Sequence, residues 1–151
     1  MKMEVKRSRY IADAGAFCLI LLFVYAASAK LLGWKNFRYQ LELYPWIRHF
    51  AVWVAWGVPL TELAIAGLLL SSRRRLAGFY ASFGLLIIFT AYLSLMLGTT
   101  THLPCSCGGV IATLTWRQHI VFNSCFIVTA GLAILAERGF FHHHKTQMYE
   151  T

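Results

Sequence analysis

The sequence has few charged residues, and very few of them are acidic. Asp, Glu, Lys and Arg make up 13% of the 151 residues, and only six residues are Asp or Glu. A soluble globular domain carries about 25% charged residues, so the chain has too little polar surface for an ordinary soluble fold.

Motifs for several classes of ligand are missing as well. The sequence contains no haem, flavin or nucleotide-binding motif and no quinone signature, so it predicts no cofactor and names no source or sink of electrons. The net charge of +8 is compatible with nucleic-acid binding. However, the basic residues lie at the ends of apolar segments, where they would meet lipid headgroups. No basic stripe is interleaved with aromatic residues, and we expect no nucleic-acid binding.

Apolar residues, in contrast, are abundant and fall in long blocks. The hydrophobic fraction is 58%, and a block of roughly 20 apolar residues crosses a bilayer of about 30 Å as a helix. Four such blocks cover about residues 11–32, 50–70, 76–97 and 119–136. The sequence therefore predicts an all-α membrane protein, a four-transmembrane-helix bundle that forms a single membrane domain over residues 1–151.

The distribution of lysine and arginine predicts the orientation. With the N-terminus in the cytoplasm, nine basic residues lie on the cytoplasmic side and five on the other side, as the positive-inside rule requires. The turn Arg73-Arg74-Arg75 is the clearest single signal. We therefore expect a multi-pass protein of the bacterial cytoplasmic (inner) membrane, with both termini cytoplasmic and the loop after the third span in the periplasm.

The first periplasmic connection has a helical pattern of its own. Phe37, Leu41 and Tyr44 recur at spacings of four and three, with Arg38 and Glu42 beside them. This pattern is typical of a short amphipathic helix that lies in the membrane interface.

The first span also has features of a cleavable signal peptide. A basic leader, an apolar stretch and Ala27-Ser28-Ala29 match that pattern. Apolar character continues past Ala29 through Leu31 and Leu32, so we expect an uncleaved span.

The predicted periplasmic loop contains two cysteines one residue apart, Cys105 and Cys107. A disulfide in so small a ring departs from the preferred dihedral angles, and a strained, exposed disulfide tends to be labile or catalytic. Two alternatives stay open: an inert pair of buried thiols, and a metal site with His102 or His119 as further ligands. Because no ligand spacing enforces a metal site, we predict a redox-active pair and no metal.

Polar residues begin the fourth span. Trp116, His119 and Asn123 lie three and four residues apart, on one helix face. His119 is either an interfacial histidine bonded to a carbonyl or a proton acceptor that helps to form a cysteine thiolate. The positive charge of Arg117 is a second way to favour the thiolate form of a cysteine.

Glu62 is the second polar outlier, deep inside the second span. A charged carboxylate at that depth costs about 2.5–3.5 kcal/mol on insertion scales, so it needs a partner or a proton. Lys30, near the end of the first span, is the favoured partner, although its side chain must reach inward. The pair is either a structural clasp or part of a proton relay.

These segments together resemble the MauE/DoxX group of redox-associated integral membrane proteins. The resemblance rests on Ser28-Ala29-Lys30-Leu31 with Phe37, on Pro59-Leu60-Thr61-Glu62-Leu63, and on Pro104-Cys105-Ser106-Cys107-Gly108-Gly109 followed by Trp116, His119 and Asn123. It implies a four-helix membrane protein whose cysteine pair supports thiol–disulfide transfer, often alongside a thioredoxin-like periplasmic partner. Many relatives read Cys-Gly-Cys-Phe-Gly where this chain has Cys-Ser-Cys-Gly-Gly.

Two hypotheses about function follow. In the first, the chain is a component of a membrane thiol–disulfide oxidoreductase or electron relay, with Cys105 and Cys107 as its dithiol. In the second, it is a non-enzymatic subunit that anchors or stabilises a larger envelope complex, and the loop is only structural.

The predicted orientation is tested by labelling the loop cysteines. In a variant with Cys18→Ala and Cys125→Ala, only Cys105 and Cys107 remain to react. After reduction, we expect a membrane-impermeant maleimide to label them from the periplasmic side, since that loop follows the third span. Labelling that occurs only after the inner membrane is opened contradicts this orientation.

Overall fold

The computed structural model describes residues 2–43, 47–99 and 116–148. These residues form helices and short connections, with no strand among them. The helices are α1 (Lys2–Leu32), α2 (Trp34–Glu42), α3 (Ala51–Leu70), α4 (Arg75–Thr99) and α5 (Trp116–Met148), and a single 3-10 turn, Arg48–Phe50, leads into α3. The predicted all-helical fold class is confirmed.

Four of these helices are long and apolar enough to cross a membrane. The spanning segments are Lys6–Leu32, Arg48–Leu70, Arg75–Leu95 and Arg117–Gly139. They confirm the four predicted spans, with ends that differ by a few residues. Helices α1 and α5 extend beyond their apolar segments, because hydrogen bonding along a helix does not stop where hydropathy falls. The chain is a multi-pass membrane protein.

The four long helices pack in a ring. Helix α1 contacts α3 and α5, and α4 contacts the same two helices on the opposite side of the ring. Fully buried side chains fill the centre, among them Leu19, Phe79 and Leu93. The outward faces are apolar too, since Phe17, Trp53 and Leu135 are all exposed. A helix that is hydrophobic all round is typical of a membrane span.

Close helix contacts concentrate at one end of the ring. A Cβ atom built on Gly15 of α1 would lie 2.9 Å from Cβ of Ala133 in α5. At Gly78 of α4, it would lie 3.0 Å from the backbone nitrogen of Leu69 in α3. The buried Ser82 turns its hydroxyl back to donate a 2.7 Å hydrogen bond to the Gly78 carbonyl. Small residues of this kind let membrane helices approach closely.

The same end carries a cluster of three ionised side chains. The Arg75 guanidinium of α4 donates to Glu137 of α5 at 2.9 Å and to Asp13 of α1 at 2.5 Å. Glu137 is buried, whereas half of the Asp13 side chain is exposed. We call this part of the bundle the Arg75 end. One arginine here joins three of the four spans.

The short helix α2 packs against the beginning of α3. Leu41 is buried in a small cluster with Ala51 and Ala55, and Phe37 packs against that cluster. Arg38 and Glu42 form a 2.7 Å ion pair along the helix. A short helix therefore occupies the first connection as the spacing predicts. Its position in the membrane interface stays a prediction.

The close contact at Gly78 predicts a specific stability effect. Gly78→Ala places a methyl group against Leu69, and overpacking of this kind costs about 1–3 kcal/mol. Gly84→Ala, in the same helix, is the matched control, because nothing lies within 4 Å of its Cβ position. Unfolding of the purified protein by SDS titration in mixed micelles measures both. A Gly78→Ala variant as stable as Gly84→Ala contradicts the packing argument.

Candidate functional site

Polar side chains from all five helices meet at the end of the bundle opposite the Arg75 end. Helices α1 and α4 finish here, and α3 and α5 begin here. We call this part of the bundle the site end. Its buried polar side chains are Gln40 of α2, Glu62 of α3, and His119 and Asn123 of α5. The connection between α4 and α5 starts from this end.

The centre of the site is an ion pair between Lys30 and Glu62. The Lys30 ammonium lies 2.7 Å from Oε1 of Glu62, and only 14% and 9% of the two side chains are exposed. The predicted partnership is confirmed. Lys30 Nζ also lies 3.4 Å from the carbonyl of Ala26, one turn back along α1. The lysine side chain therefore runs inward from the end of its helix, as the depth of Glu62 requires.

One carboxylate oxygen of Glu62 takes no part in the ion pair with Lys30. Oε1 accepts from Lys30, but the buried Oε2 has no hydrogen-bond partner within the described ranges 2–43, 47–99 and 116–148. A buried acceptor without a partner loses its hydrogen bonds to water and forms none in their place, which destabilises the fold. Natural structures keep few such groups, and each calls for an explanation. Oε2 is thus available to a donor from a bound molecule.

His119 and Asn123 lie one turn apart at the beginning of α5, and both are buried. The ring of His119 meets Phe89 of α4 edge-on, with centroids 5.8 Å apart. Asn123 is 4% exposed, and its Nδ2 donates to no group in the described part of the chain. Two of the three residues of the predicted polar face, His119 and Asn123, therefore point into the bundle.

The other two residues predicted to support the site lie elsewhere or are undescribed. Arg117 is exposed and does not line the cavity described below. Trp116 begins α5, and its side chain is outside the description. Cys105 and Cys107 also lie outside the described residues, so the dithiol stays a prediction. Cys18 and Cys125 are free thiols on the exposed surface of α1 and α5.

The buried polar residues line a cavity of about 280 Å³. All five helices contribute to its wall, most of which is apolar. The polar lining residues are Lys30, Gln40, Glu62, Tyr92, His119 and Asn123, and the aromatic ones include Phe23, Phe37 and Phe89. An apolar pocket with a few convergent polar groups is the usual form of a small-molecule site. Within the described residues, no group of three or more His, Cys, Asp or Glu side chains has the arrangement of a metal site.

Sequence reasoning missed two of the polar lining residues. Gln40 is three residues after Phe37 and next to Leu41, so it lies on the inward face of α2. The amphipathic pattern of that helix was the available signal. Tyr92 of α4 carried no signal, because an aromatic residue near a membrane edge is ordinary.

Comparison with known proteins identifies a family. A family model described as methylamine utilisation protein MauE matches residues 8–136, which includes all four spanning segments. The resemblance to MauE is confirmed. No curated protein and no solved structure match the chain.

The buried ion pair predicts strong coupling between its two members. Lys30→Leu leaves Glu62 buried without a partner, a change that costs about 3–5 kcal/mol in other proteins. Replacing both residues by leucine restores much of the stability, since no unpaired charge remains. SDS titration of the two single variants and the double variant gives the coupling free energy.

The exposed pair of Arg38 and Glu42 provides the matched control. These residues are 43% and 37% exposed, and helix pairs of this type contribute about 0.3–0.5 kcal/mol. A coupling free energy for Lys30 and Glu62 no larger than that of this control shows that burial does not strengthen the pair.

Proposed function

The chain belongs to the MauE family, and we propose that it supports periplasmic thiol–disulfide exchange through Cys105 and Cys107. In this proposal it is the membrane component of a thiol–disulfide oxidoreductase in the bacterial cytoplasmic membrane. The protein that exchanges with it is a periplasmic thioredoxin-like protein.

The observation that carries the proposal is the location of the polar cavity. The buried ion pair, His119 and Asn123 all lie at the site end, and the segment that carries both cysteines joins α4 to α5 at that end. Within the described part of the chain, Oε2 of Glu62 and Nδ2 of Asn123 have no partner. A buried group of this kind destabilises a bundle whose role is only structural. The retention of both groups beside the cysteine-bearing connection favours chemistry there.

The exchange itself is a transfer of two electrons and two protons. In the oxidised protein, a thiolate of the partner attacks the Cys105–Cys107 disulfide and forms a mixed disulfide with one of the two cysteines. The partner's second thiol then displaces that cysteine. The partner ends with a disulfide and this chain with two thiols, so atoms and electrons balance. The reverse sequence reduces a partner disulfide.

Cys107 is the proposed nucleophile. It is nearer than Cys105 to Arg117 and His119 in the chain, and a nearby cation raises the fraction of thiolate at neutral pH. Arg117 is exposed at the beginning of α5, close in the chain to the connection that carries Cys107. Gly108 and Gly109 add no side chains that would block a partner's approach.

Single cysteine variants should trap the intermediate. In the reverse direction, one cysteine of this chain attacks a partner disulfide and the other cysteine resolves the mixed disulfide. Since a single variant lacks one of the two, we expect Cys105→Ala or Cys107→Ala to accumulate an adduct. Non-reducing electrophoresis followed by mass spectrometry identifies the partner, and dithiothreitol must release it. The Cys18→Ala variant is the control and should give no adduct.

The double variant Cys105→Ala/Cys107→Ala decides between the two hypotheses. If neither single variant forms a thiol-sensitive adduct and the double variant keeps full function, the exchange proposal is wrong. The chain would then be a structural or anchoring subunit.

A further inference from the structure

The cavity at the site end has the size and lining expected for one aromatic ring. Its volume is about 280 Å³, near the lower limit of the roughly 300–1,000 Å³ of ordinary ligand pockets. This excludes an entire lipid molecule. Phe23 and Phe37 offer ring faces and edges to a planar ligand, and Phe89 lines the cavity beside His119, with the two ring centroids 5.8 Å apart.

The polar lining restricts the chemistry of that ring. Among the described residues, Asn123 Nδ2 has no acceptor and Glu62 Oε2 has no donor. Lys30 has three ammonium protons, and within the same residues Glu62 and the Ala26 carbonyl accept two of them. The site therefore suits a neutral ligand whose oxygen accepts hydrogen bonds in one state and donates one in another. Glu62 disfavours an anionic headgroup, and the apolar walls disfavour a sugar.

The cavity also borders the lipid-facing surface. Ile88 of α4 lines it and is 68% exposed. A ring inside the cavity can therefore have an apolar chain that continues past α4 into the bilayer. Such a ligand enters from the membrane and needs no aqueous route.

From these observations we infer that the cavity binds the ring of a lipid-soluble quinone. Its carbonyl oxygens accept hydrogen bonds from Asn123 and Lys30, and after reduction a quinol hydroxyl donates to Glu62. The inference rests on the proposed function for its electron source. Two thiols lose their S–H bonds and form one S–S bond, while the quinone gains two electrons and two protons to become a quinol.

The test begins with binding, which does not depend on the cysteines. The full chain, purified in lipid nanodiscs, is titrated with decylubiquinone and with menadione, and quenching of tryptophan fluorescence reports occupancy. We expect saturable binding of at least one of them. Asn123→Leu should weaken it about tenfold, as the loss of one buried hydrogen bond implies. Asn36→Leu is the matched control, because Asn36 is exposed on α2.

A second variant keeps the test decisive if Asn123→Leu does not fold. Val58 lines the cavity from α3, and Val58→Phe fills part of it without removing a polar group. We expect this variant to abolish binding while thermal unfolding stays cooperative. The inference is overturned if neither quinone binds saturably, or if Asn123→Leu and Val58→Phe both bind as the wild type does.

A separate measurement of quinone reduction distinguishes this inference from the proposed function. After dithiothreitol is removed, the reduced protein should convert bound quinone to quinol, which its ultraviolet absorbance reports. Cys105→Ser/Cys107→Ser should bind quinone equally well and reduce none. A wild type that binds quinone without reducing it overturns the assignment of quinone as electron acceptor. Failure of the proposed function is recognised separately, by absence of the partner adduct.

Discussion

The ion pair between Lys30 and Glu62 is the constraint around which the site end is built. A charge inside an apolar bundle is tolerated only with a partner and hydrogen bonds around it. The 2.7 Å contact fixes the position of α1 along the bundle axis relative to α3. Since α2 follows α1 directly and packs on α3, the same contact also fixes the helix that covers the cavity. Gln40 and Phe37 line the cavity as a result.

A comparison of the two ionic clusters separates a structural role from a functional one. At the Arg75 end, both oxygens of Glu137 accept from the guanidinium, which also binds Asp13. Planar, bidentate contacts of this kind satisfy the buried carboxylate. At the site end, one oxygen of Glu62 and the amide of Asn123 lack partners among the described residues. Within the described residues, the first cluster satisfies its buried carboxylate, whereas the second leaves a buried acceptor and a buried donor unpaired.

The sequence predicts those features that depend on the free energy of placing one segment or one side chain in lipid. The four spans follow from hydropathy, and the partner of Glu62 follows from the free energy of an unpaired charge in lipid. The sequence pattern does not predict the link between Asp13, Arg75 and Glu137. That link and the cavity depend on the order of the helices around the ring, which hydropathy does not contain. The redox role of Cys105 and Cys107 is predicted from their spacing and stays a prediction, because both lie outside the described residues.

The shape of the bundle follows from where its small and large residues lie. At the Arg75 end, Gly15 and Gly78 bring two pairs of helices into close contact. At the site end, the larger side chains of Phe23 and Phe89 line the cavity, together with Phe37 of α2. The cavity lies between helices whose backbone groups are paired within each helix, as the membrane requires, and Pro59 inside α3 removes a single backbone donor. The polar residues occupy that cavity because only there can they avoid both lipid and bulk water.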